Sequence, residues 1–68
     1  MSILELGYQL LKQLDIQYIH LTKDHLEIRY FVDNIGVISY GQTQNEAVEN
    51  FYELYHDLMQ KLSNSTYA

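Results

Sequence analysis

Sixty-eight residues without a cysteine exclude a disulfide framework, thiolate metal sites and more than one domain. A net charge of −5, from 4 Lys and Arg against 9 Asp and Glu, argues against nucleic-acid binding, which needs several cations gathered on one surface. At 47% hydrophobic the chain is too apolar for disorder, yet no apolar run approaches the roughly 20 residues of a membrane span.

The first residues, Met1-Ser2-Ile3-Leu4-Glu5, lack the basic start of a secretory leader, so a soluble, cytoplasmic protein is expected. Ser2 and Glu5 fit a capping box, in which the hydroxyl takes a backbone N–H and the carboxylate reaches back to the cap. Ile3, Leu6, Gly7, Leu10 and Leu14 then share one face, widened by Leu4 and Leu11. The spacing predicts a first helix of about 12 residues ended by Asp15, with Gly7 a weak point or a close-packing position.

From Ile16 to Thr22 the residues become strand formers, and Lys23-Asp24 makes a short turn. Leu26, Ile28, Tyr30 and Val32 alternate with Glu27, Arg29 and Phe31, which predicts a half-buried strand with the first set inward. Asp33-Asn34-Ile35-Gly36 has turn chemistry, and Val37 to Tyr40 forms a third strand.

Gly41 ends that strand, and Thr43-Gln44-Asn45-Glu46 is a second capping box. A helical stripe follows through Ala47, Val48, Phe51, Leu54, Tyr55, Leu58, Met59 and Leu62. Glu46, Glu49, Glu53 and Asp57 make a second, acidic stripe on an outward face. Residues 1–62 are thus expected to form a single domain and 63–68 a flexible polar tail.

The predicted architecture is an α+β two-layer sandwich of order α-β-β-β-α, a three-stranded antiparallel meander with both helices on one face. That leaves the other face open, with Gln17, Ile19, Leu21, Glu27, Arg29, Phe31, Ile38 and Tyr40 as candidates for it. Ile19, Leu21 and Phe31 are more apolar than a monomer normally exposes and form the expected sheet-face interface. They predict a homodimer, or a partner docked on this face or on a sheet edge.

Residues 36–50, GVISYGQTQNEAVEN, resemble the HicB family of small antitoxins. Gly41, Thr43, Glu46, Ala47, Glu49 and Asn50 match that family's strand, cap and helix pattern, over about a quarter of the chain. Asn34-Ile35 stands where that family carries Pro-Gly, and no DNA-binding segment of its type follows. The resemblance therefore implies neutralisation of a partner rather than operator binding. The whole element order also resembles double-stranded RNA-binding domains and HicA-type toxins. In those RNA binders the last helix starts with phosphate-gripping lysines, whereas Gln44, Asn45, Glu46 and Glu49 stand here and repel phosphate.

His20, His25 and His56 have no metal-ligand spacing, and neither a phosphate loop nor a nucleophile elbow is present. No enzyme, metal or cofactor is expected. Glu46, Glu49, Glu53 and Asp57 suit a basic protein partner, with Tyr52 as an aromatic anchor beside them. The expected function is inhibition of a nucleic-acid-acting protein, in the manner of an antitoxin or a phage or mobile-element inhibitor. The alternatives are a structural homodimer and a degenerate RNA-binding-like domain.

Overall fold

The computed structural model describes residues 2–16, 18–22, 25–32 and 35–65. The Glu5 N–H donates to Ser2 Oγ (3.1 Å) and the Ser2 hydroxyl donates to Glu5 Oε1 (3.4 Å), which opens helix α1 over Ile3–Leu14. Asp15 ends it at φ 56° and ψ 46°, the left-handed conformation that reverses the chain. The Asp15 N–H then donates to Lys12 O and the Ile16 N–H to Leu11 O, so the last carbonyls are satisfied.

Three strands follow, β1 (Tyr18–Thr22), β2 (His25–Val32) and β3 (Ile35–Gly41), in spatial order β1-β2-β3 with antiparallel pairing throughout. Helix α2, Gln44–Ser65, closes the chain. Val37, Ser39 and Gly41 of β3 face inward opposite Tyr30, Ile28 and Leu26 of β2. The core is Leu11, Ile28, Val37, Ala47, Val48 and Phe51.

The packing corrects the expected two-layer sandwich of a three-stranded antiparallel meander with both helices on one face. Among the described residues, α2 lies within packing range of β3 and β2, α1 lies against α2, and neither helix approaches β1. The packed unit is an α-β-β-α arrangement around the two-stranded β2–β3 hairpin. Strand β1 is a short edge piece of 5 residues whose register with β2 slips between His20 and Thr22. At the contact of α1 with α2, a Cβ on Gly7 would stand 2.6 Å from Val48 Cγ1 and 3.0 Å from Val48 O. Without that Cβ, α1 lies close on α2 and brings Leu11 into the core with Ile28 and Val37.

Two further expectations change. Helix α2 continues through Ser65, so the boundary expected after residue 62 falls inside a helix; residues 66–68 lie outside those described. Of the apolar stripe on α2, Ala47, Val48 and Phe51 are buried, but Leu54, Met59 and Leu62 are exposed. A helix of 22 residues runs about 33 Å, whereas β3, with 7, covers about 24 Å, so the last turns, with Met59 and Leu62, outrun the sheet, while Leu54 is exposed beside Ile38. Of the turn expected over Asp33-Asn34-Ile35-Gly36, Ile35 and Gly36 instead open β3, while Asp33 and Asn34, like Lys23, Asp24 and Gln17, lie outside the described residues.

Candidate functional site

The site is built by the elbow between β3 and α2. A Cβ on Gly41 would fall 2.4 Å from Ala47 N and 2.8 Å from Ala47 Cα, so only glycine lets the helix start directly over the strand end. Thr43 caps the helix: the Glu46 N–H donates to its Oγ1 (3.2 Å), and the Ala47 N–H donates to Thr43 O (3.0 Å). Glu46 Oε1 accepts from the Gln42 N–H (3.4 Å). Two bonds then tie the helix to the strand. The buried Ser39 hydroxyl donates to Ala47 O (3.2 Å), and Asn50 Nδ2 donates to Tyr40 O (2.8 Å). A third tie reaches α1, where the Tyr8 hydroxyl donates to Asn45 Oδ1 (2.8 Å).

With the helix held so, a groove opens between β3 and α2, about 560 Å³ in volume. Ile38, Ser39 and Tyr40 line one side; Asn50, Glu53, Leu54 and Asp57 line the other. It continues along the strand past Gly36 and Val37, with Leu58 and Lys61 on the helix side. Glu53 and Asp57 stand exposed over the exposed apolar side chain of Leu54.

The acidic stripe therefore divides. Glu46 belongs to the helix cap, while Glu49, Glu53 and Asp57 are exposed and enter no ion pair among the described residues. Glu53 and Asp57 belong to the groove and Glu49 lies outside its lining. Tyr52 is half-buried and stacks on His56 at a ring distance of 6.2 Å, so it is less of a free anchor than expected. On the open sheet face, Phe31 is 55% exposed and Tyr40 48%. The Phe31 ring covers Gly36, its cross-strand partner, whose added Cβ would meet Phe31 Cδ1. Ile19 and Leu21 are part of β1, but their side chains lie outside those described.

Glu27 departs most from expectation. Alternation places it on the open face, yet it is 2% exposed, in the middle strand between Ile19 of β1 and Tyr40 of β3. Arg29 Nε donates to Glu27 Oε2 along the same strand and covers it, with the arginine side chain itself half-exposed. The His25 and Tyr40 rings meet at 5.0 Å, tilted by 37°. A chain pattern alone cannot show this, because the alternation of a strand does not say that it will be the middle one of three. Asn50 and Ile38 were also overlooked as groove residues. The signal available for Asn50 was its place one turn before Glu53 and Leu54.

Among the described residues no group of three or more His, Cys, Asp or Glu is arranged to hold a metal. No described helix is long and apolar enough to cross a membrane. Comparisons with protein-family models, with characterised proteins and with solved structures give no match.

Proposed function

We propose that this chain is a small acidic protein-binding domain that neutralises a partner by occupying a basic site on it. The observation that carries this reading is the set of Glu49, Glu53 and Asp57, exposed on one helix and without an ion-pair partner in their own chain among the described residues. Carboxylates held this way attract Lys and Arg that would otherwise hold nucleic acid, and the apolar residues beside them add contact area. An antitoxin of HicB-like build, or a phage or mobile-element inhibitor of a nucleic-acid-acting protein, works by this means. The chain binds and does no chemistry, and its place of action is the cytoplasm.

Five of the six residues that resemble the HicB pattern have structural roles here. Gly41, Thr43, Glu46, Ala47 and Asn50 all serve the β3–α2 elbow, through close approach, capping or a side-chain bond. Of the six matching residues only Glu49 is left over for a partner. The shared pattern therefore supports a shared strand-to-helix geometry more than a shared target.

The test is capture from the native host on immobilised protein, wild type against Glu49→Lys/Glu53→Lys. A protein retained by the wild type and lost by the doubly reversed variant, with an unchanged far-ultraviolet spectrum, is the expected result. Equal retention by both sinks the electrostatic mechanism. A second reading, assembly of two copies through the open sheet face, is favoured by the exposure of Phe31 and Tyr40.

A further inference from the structure

Strand β3 is an edge of the sheet, since β2 pairs with it on one side only. Along an antiparallel strand the backbone groups point alternately to one neighbour and the other. Tyr40 O is turned to the helix side, where Asn50 takes it. Ile38 and Gly36, two and four residues earlier, point the same way, so their N–H and C=O groups face the groove. Among the described residues, no side chain bonds them. An edge strand with free backbone groups is a template for another strand.

The groove fits such a strand in length. Gly36 to Tyr40 covers about 14 Å, and the helix wall from Asn50 to Lys61 about 16 Å, so five residues of extended chain lie along it. Side chains of an added strand alternate. One set points to the helix wall, where Glu53 and Asp57 stand over Leu54; the other extends the open face beside Ile38 and Tyr40. Charge decides the occupant. A second copy paired on this edge brings its own Glu53 and Asp57 into the same place, and like charges repel.

We infer that β3 takes up an extended basic segment of the partner protein as a fourth strand, with Lys or Arg at alternate positions paired to Glu53 and Asp57. This rests on the proposed function and adds its mode of recognition: backbone bonds to Gly36 and Ile38 hold the segment, and carboxylates choose it.

The probe is an end-blocked seven-residue peptide of alternating lysine and valine, titrated calorimetrically into the full chain. Its partner peptide carries N-methyl groups on the alternate amides that would meet β3. Removing those donors is expected to weaken binding about ten-fold, as is Glu53→Gln/Asp57→Asn in the protein. In the complex, amide exchange at Gly36 and Ile38 slows. Three results overturn the inference. If the methylated peptide binds equally well while the neutralised variant loses it, the acidic surface stands and strand addition is wrong. If the neutralised variant binds as tightly as wild type, the acidic reading falls as well. Slow exchange at Ile38 in free protein of dimeric mass means that a second copy already fills the edge.

Discussion

Glu27 and Arg29 are two residues apart on one strand, and their side chains meet on the same face. One is almost wholly buried and the other is half in water. The pair is therefore asymmetric: losing the arginine strands a carboxylate that water cannot reach, whereas losing the carboxylate frees a cation that water can solvate. Arg29→Met is expected to cost about 1–3 kcal/mol, nearer the lower figure because solvent screens the exposed guanidinium. Glu27→Gln is expected to cost less, since the amide keeps the shape and a hydrogen-bonding oxygen. Urea midpoints of the two variants and of their double variant measure the coupling. Equal losses for both single changes mean that Glu27 is not buried as described.

At the scale of elements, the contact of α1 with α2 depends on one missing methyl group. In an isolated helix Gly7→Ala gains about 1 kcal/mol of helix propensity. Here the added Cβ meets Val48, a fully buried and branched side chain, and the carbonyl of the same residue. The clash outweighs the gain, and a net loss of about 1–2 kcal/mol in urea unfolding is expected. A stabilised Gly7→Ala variant means that α1 is free to shift away from α2. The sequence left two readings of Gly7 open, and only the approach of the second helix chooses between them. The β3–α2 elbow behaves differently. Its glycine, threonine cap and Glu46 are all within a few residues of their partners, so the cap was legible in the chain: the Glu46 N–H donates to Thr43 Oγ1 as expected, whereas the Glu46 carboxylate accepts from Gln42 N–H, one residue before the cap.

For the whole molecule the open sheet face is the feature with the largest consequence. Phe31, Ile38 and Tyr40 are exposed together with the half-covered ion pair beneath Arg29. If two copies seal this face, light scattering gives a dimer and Phe31→Ser returns it to monomer without unfolding. If the wild type is already a monomer at about 0.1 mM, a face of this kind does not drive self-association, as interfaces of standard size hold far more tightly. Ile38 and Tyr40 belong both to that face and to the wall of the acidic groove, so assembly through the face competes with a partner seated in the groove.

The chain by itself determined both helices, both N-terminal caps, the alternation of β2 and the outward acidic stripe, because each is set by neighbours within a turn or along a strand. Tertiary structure alone decided three other things: that α1 rests on α2, that Glu27 is buried on a face expected to be open, and that Glu53 and Asp57 border an edge strand. Each depends on residues that meet from separate elements, Gly7 with Val48, Glu27 with strands on both sides, and Ile38 with Leu54 across a groove. Local periodicity reports which way a side chain points, and only packing determines what it meets there.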